Sequence, residues 1–161
     1  MLDKKVWALA ILAIFGLTAC ATMQGAGQGL PLPNDINIIA PSPDLPKDIA
    51  AFSGKWVGTW DFGLDQVWVI EKIDDKEAQI LSAWGGHVRT GIKPGYARIT
   101  GKVISDPKPE IVLPQKGWGD LPLSLKMEDS NTLKGERTIN FSDWVGRASG
   151  KLNTITLQRA K

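Results

Sequence analysis

Few residues in this chain carry types that could do chemistry, and they are scattered. There is one cysteine, Cys20, and one histidine, His87. A single thiol cannot form a disulfide within the chain, so Cys20 is available for alkylation or acylation. It stands directly after a run of twelve residues, Val6 to Leu17, that is apolar apart from one glycine, and then Thr18 and Ala19. His87 sits in Trp84-Gly85-Gly86-His87-Val88-Arg89, a glycine-rich stretch that reads as a loop over one end of the fold. A histidine general base is conceivable there, but no Gly-x-Ser-x-Gly elbow accompanies it, and an exposed loop histidine is the simpler reading. The carboxylates Asp61, Asp65, Glu71, Asp74 and Asp75 are spread over expected strands and turns. Paired carboxylates could cleave a glycosidic bond, yet Asp74-Asp75 reads more simply as turn chemistry. One histidine without clustered ligands gives no metal site, and no phosphate loop or dinucleotide fingerprint is present. No catalytic residue, metal or cofactor is expected.

The aromatic residues are the other candidates. Seven tryptophans stand against one tyrosine. Trp7 belongs to the apolar leader and is left out of fold reasoning. Trp56, Trp60, Trp84 and Trp118 are the candidate ligand-lining residues. Trp118 is flanked by Gly117 and Gly119, which imply a loop: it fits a pocket mouth, a sugar contact, a membrane surface or a lid. Trp144, between Asp143 and Val145, is similar. Trp84, next to Gly85 and Gly86, either faces a pocket at a strand end or closes the core there.

Lys4 and Lys5, the apolar run and a small-residue junction before Cys20 make residues 1–19 a signal peptide; twelve apolar residues are short for a bilayer-spanning helix. Leu17-Thr18-Ala19-Cys20 resembles the lipobox of bacterial lipoproteins. That resemblance implies diacylglyceryl on the Cys20 thiol, cleavage before Cys20 and often acylation of the new amine. Two or three acyl chains, at about 0.8 kcal/mol per buried CH₂, anchor a protein stably. Ala21 follows the cysteine, and in a Gram-negative cell the resemblance favours the periplasmic face of the outer membrane. Residues 20–47 then read as the lipidated cysteine and a linker. Gly25, Gly27 and Gly29 precede Pro31, Pro33, Pro41, Pro43 and Pro46, a spacing that favours extended polyproline-like chain at about 3.1 Å per residue. Asn37-Ile38-Ile39-Ala40 interrupts it, either as a packing segment or as an edge strand. Leu45 to Phe52 predicts a helical turn or two, with Asp44 as cap and Pro46 in the first turn.

Residues 48–161 form the domain. Turn residues recur every ten residues or so, with no sustained helical period, which predicts an all-β fold. Strands are expected near 55–62, 65–73, 77–84, 96–104, 109–113, 121–128, 132–140 and 149–159. Short connections make a small antiparallel up-and-down barrel of about eight strands the economical architecture. Gly54, Trp56, Gly58 and Trp60 alternate on one face of the first strand. Large rings between glycines suit a crowded barrel interior; two exposed indoles would make a sticky patch. The first strand, with Gly-x-Trp twice after a helical turn, resembles the calycin group, lipocalins and avidins. Leu133-Lys134-Gly135-Glu136 is similar to a repeat of avidin-like barrels. The resemblance implies that Arg159, near the end of the last strand, packs over Trp56, a favourable cation–π geometry.

Nineteen basic and seventeen acidic residues give a net charge of +2 without a like-charge block, which argues against a nucleic-acid partner. Two functions remain open. One is a cup for a small apolar or aromatic ligand. The other is an interaction or structural envelope protein whose barrel is filled by its own side chains. An enzyme is the least supported.

Overall fold

The computed structural model describes residues 29–114, 122–142 and 148–160. A single helical turn, α1 (Lys47–Ala50), leads into eight strands: β1 (Gly54–Trp60), β2 (Asp65–Ile73), β3 (Glu77–Trp84), β4 (Gly95–Ile104), β5 (Glu110–Leu113), β6 (Leu123–Asp129), β7 (Thr132–Ser142) and β8 (Ala148–Arg159). They form a closed antiparallel barrel in sequence order, with β8 returning to β1. The expected architecture and every expected strand are present. β1 ends at Trp60 because the chain turns there: Gly63 N–H bonds the Trp60 carbonyl at 2.8 Å and Trp60 N–H bonds the Leu64 carbonyl at 2.9 Å.

The turns have the expected chemistry. Asp74 Oδ1 accepts from the N–H groups of Lys76 and Glu77, both at 2.9 Å, and closes β2–β3. Asp129 Oδ1 accepts from Asn131 N–H and closes β6–β7. Backbone donors that lack a ladder partner are thereby satisfied.

Alternation sends one residue in two inward. Trp56, Trp68, Ile70, Ile80, Ile111, Leu125, Leu133, Ile155 and Leu157 make one core and are almost fully buried. Two glycines make that filling feasible. At Gly58 an added Cβ would lie 2.2 Å from the Thr156 carbonyl oxygen, so β1 and β8 approach too closely for a side chain. At Gly135 a Cβ would come within 3.3 Å of Trp68 Cη2. The Trp68 indole therefore crosses from β2 to β7 and forms a floor across the barrel.

Three features differ from expectation. Asp44 does not cap the helical turn. Pro46 holds the cap position without a side-chain bond, and its carbonyl accepts from Ile49 and Ala50; Pro46 lies outside the turn because its ψ of 134° is extended, although its φ of −48° suits a helix. The second half of the expected linker lies on the barrel. Leu30, Leu32 and Ile36 pack on Val67, Val69, Leu81 and Ala83, outward-facing residues of β2 and β3 that would otherwise be an exposed apolar patch. Asn37-Ile38-Ile39-Ala40 attaches by backbone alone: Ile39 N–H donates to the Glu71 carbonyl and Asn37 N–H to Glu71 Oε1, while Ile38 and Ile39 stay exposed. Arg98 locks this strap, pairing with Asp35 at 2.9 Å and Glu71 at 3.0 Å. The two carboxylates hold the Arg98 guanidinium charged at any accessible pH, and Arg98 in turn lowers the Asp35 pKa.

Candidate functional site

Strand direction gives the barrel two unlike ends. α1, the β2–β3, β4–β5 and β6–β7 turns and the C-terminus gather at one. The β1–β2, β3–β4, β5–β6 and β7–β8 connections leave from the other. Each end carries an arginine on a tryptophan of β1, and the two pairs differ in a way that decides their roles.

At the first end, Ile49 and Phe52 plug the barrel beneath Trp56, which is wholly buried. Trp56 Nε1 donates to the Phe52 carbonyl at 2.8 Å. Arg159 lies over the indole, its guanidinium carbon 4.1 Å from the ring centroid. Its donors are spent on backbone: Nη1 to the Ser53 carbonyl at 2.8 Å, Nη2 to that of Ala51, and Nε to that of Ser130 at 3.0 Å. This end is sealed. Trp56, a candidate for lining a ligand pocket, is a structural residue here, because no ligand atom reaches a side chain with no exposed surface and a satisfied N–H.

At the other end Arg137, on β7, lies over Trp60 at 4.4 Å and over Phe62 at 5.6 Å. Trp60 stacks on Phe62 with centroids 5.8 Å apart and meets Trp68 edge-on at 6.2 Å. Below them runs a buried polar layer. Trp60 Nε1 donates to Gln66 Oε1 at 3.4 Å; Gln66 Nε2 donates to Ser82 Oγ and the Ala83 carbonyl; Trp68 Nε1 donates to Ser82 Oγ at 3.0 Å. Those groups satisfy one another. Arg137 does not share in this: its Nε is buried with no hydrogen-bond partner among the described residues. Burial lowers the Arg137 pKa, and the charge of Asp61 only partly offsets that. The Asp61 carboxylate also accepts from Thr154 N–H, at 3.3 Å.

Among the described residues β4 pairs with β5 through Lys102, Val103 and Ile104, and Gly95 to Gly101 pair with β3. β7 likewise pairs with β6 only up to Glu136. Ala97 and Ile99 face inward opposite Ser82 and Ile80, yet are only half-buried.

Trp84 is half-buried at this end. Its Nε1 donates to the Lys93 carbonyl at 2.9 Å, and its ring covers Gly95, so it closes a strand end. His87 Nδ1 lies 2.7 Å from Thr90 Oγ1, and its ring meets the Phe62 edge at 5.7 Å. Among the described residues no group of three potential metal ligands occurs. Cys20, Trp118 and Trp144 lie outside the described residues.

The residues not singled out from the sequence are Arg137, Phe62, Gln66, Ser82 and Asn153. Parity was the available signal: Arg137 shares a face with Leu133 and Gly135, and Asn153 with Ile155 and Leu157.

No family model and no curated protein matches the chain. Among solved structures, one described as "Structure of EF1p2_mFAP2b bound to DFHBI" is similar at a TM-score of 0.48 and 15% identity, over 70% of this chain and 98% of its own.

Proposed function

We propose that this is a lipid-anchored protein of the bacterial envelope whose barrel binds a small apolar or aromatic ligand at the end that carries Trp60 and Arg137. The observation that carries the ligand reading is the contrast between the two arginines. Arg159 has its donors matched by the fold, whereas Arg137 sits in an aromatic mouth with a buried donor unmatched among the described residues. Ligand pockets are mostly apolar with a few polar groups that fix orientation, and the half-buried Phe62 and Arg137, lying over the buried Trp60, have that composition. The anchor reading rests on the lipobox-like Leu17-Thr18-Ala19-Cys20 behind an apolar leader.

Intrinsic tryptophan fluorescence titrated with fatty acids, small aromatics and envelope sugars tests the ligand reading; silence towards all of them defeats it. Lipid labelling of Cys20→Ser tests the anchor, and label that persists on the variant refutes it.

A second reading is favoured by the filled lower barrel, where Trp56 and Trp68 leave no room: a structural or interaction protein of the envelope. Cross-linking in the native envelope then yields one dominant partner, and a chain that stays uncross-linked counts against it.

A further inference from the structure

We infer that the barrel end carrying Arg137 takes a small aromatic carboxylate, its ring against Phe62 and its acid group on the Arg137 guanidinium. This deepens the ligand-binding reading and rests on it.

The argument begins with charge. Arg137 projects from the inner face of β7, beside Asn153 of β8. No carboxylate lies within ion-pair distance of it among the described residues; their ion pairs involve Arg98, Lys126 and Lys134. A guanidinium drawn out of water without an anion is costly, and the cost is relieved when an anion arrives with geometry suited to its planar donor fork. A second cation stands close by. Arg89, in the β3–β4 connection, donates Nη2 to the Phe62 carbonyl at 3.5 Å. Phe62 thus has Arg137 over its ring, Arg89 on its carbonyl and His87 at its edge. The carboxylate that bears on Arg137 is Asp61, exposed and bonded to Thr154 N–H. Among the described residues two guanidiniums, those of Arg137 and Arg89, thus meet at the aromatic surface of Phe62.

Size follows from the floor. Trp68 reaches across to Gly135, and beneath it Ile70, Ile80, Leu125, Leu133 and Ile155 are no more than 1% exposed. A residue without exposed surface borders no void that admits water, so a long acyl chain cannot run down the axis. What fits is a short, flat acid that stays above Trp60 and Trp68.

The test compares 2-naphthoate with the neutral 2-naphthylmethanol, titrated into the full chain and followed by tryptophan fluorescence. The acid is expected to bind tighter by about 10–100-fold, the range of a charge-assisted contact. Arg137→Met is expected to abolish that preference, so that acid and alcohol bind the variant alike; Arg137→Lys keeps part of it. Circular dichroism checks that each variant is folded. The acid-versus-alcohol comparison in the unaltered chain stands even where a variant fails to fold. Equal affinity for acid and alcohol, or a preference that survives Arg137→Met, overturns the acid contact while leaving ligand binding in place. Failure of both compounds to bind overturns this inference, and silence across the wider ligand panel as well overturns the ligand reading beneath it.

Discussion

Replacing Arg159 and Arg137 separately by methionine should move stability in opposite directions, although both guanidiniums lie just over 4 Å from an indole centroid. Methionine keeps the apolar stem and removes the charge. At Arg159 the loss includes two half-buried charge-assisted hydrogen bonds, to Ser53 and Ala51. The third, to Ser130, is exposed, and water replaces it. A bond to a charged group contributes about 1.5–3 kcal/mol when buried, and partial exposure takes each towards the lower end. An exposed cation–π contact adds about 0.5–1 kcal/mol. The expected loss for Arg159→Met is about 3.5–4 kcal/mol, or roughly a 15 °C fall in melting temperature for a domain of this size. At Arg137 the same ring contact is lost, about 1 kcal/mol, but a buried N–H without a described partner goes with it. Such a donor costs about 1–3 kcal/mol. The net for Arg137→Met lies between no change and about 2 kcal/mol of stabilisation. Urea denaturation of both variants, with the slope compared to exclude a change of unfolded state, reads the difference. Equal destabilisation would refute the argument, because it would mean that the fold satisfies Arg137 as fully as Arg159.

Gly58→Ala should destabilise by about 3 kcal/mol or more. The added methyl meets a backbone oxygen that cannot swing away, at 2.2 Å, and this outweighs the gain of about 0.4–1 kcal/mol from a stiffer unfolded chain; an unchanged urea midpoint would contradict it. Asp74 has a pKa lowered first by its bond from Glu77 N–H and then by that from Lys76 N–H. Its contribution is therefore fully present above the ordinary carboxylate value of 3.8 and is lost as pH falls through the lower folded value. The stability gap between the unaltered chain and Asp74→Asn should shrink as pH is taken from neutral to about pH 2, and a gap independent of pH would exclude this. Arg98→Ala should free the strap from Asp35 and Glu71. Limited proteolysis should then cut faster between residues 30 and 40 while the barrel stays intact, and an unchanged cleavage rate would mean that Leu30, Leu32 and Ile36 hold the strap unaided.

The strands and their order were legible because each turn carries its own chemistry within a few residues. Asp74 closes a hairpin with its own side chain, and strand alternation alone puts Gly54, Trp56, Gly58 and Trp60 on one face. The strap was not legible as such. Proline spacing reports that residues 30–46 are extended, but not that Leu30, Leu32 and Ile36 meet an apolar patch on β2 and β3, which depends on where the barrel's outer face falls. Asp44 was misread as a cap because residue type alone does not fix where a four-residue turn begins.

Local sequence determined what recurs at short range: an apolar run before a lone cysteine, turn residues at regular spacing, and the period-two pattern that makes each segment a strand. Tertiary structure alone decided which tryptophan seals and which stands at the mouth. Trp56 and Trp60 occupy the same face of the same strand, four residues apart, with Gly58 between them. Their fates diverge because α1 and three backbone carbonyls converge on Arg159 at one end, while Arg137 arrives from β7 at the other with its Nε unmatched among the described residues. Strands far apart in the chain meet only when the barrel closes, so no window of sequence contains that contrast.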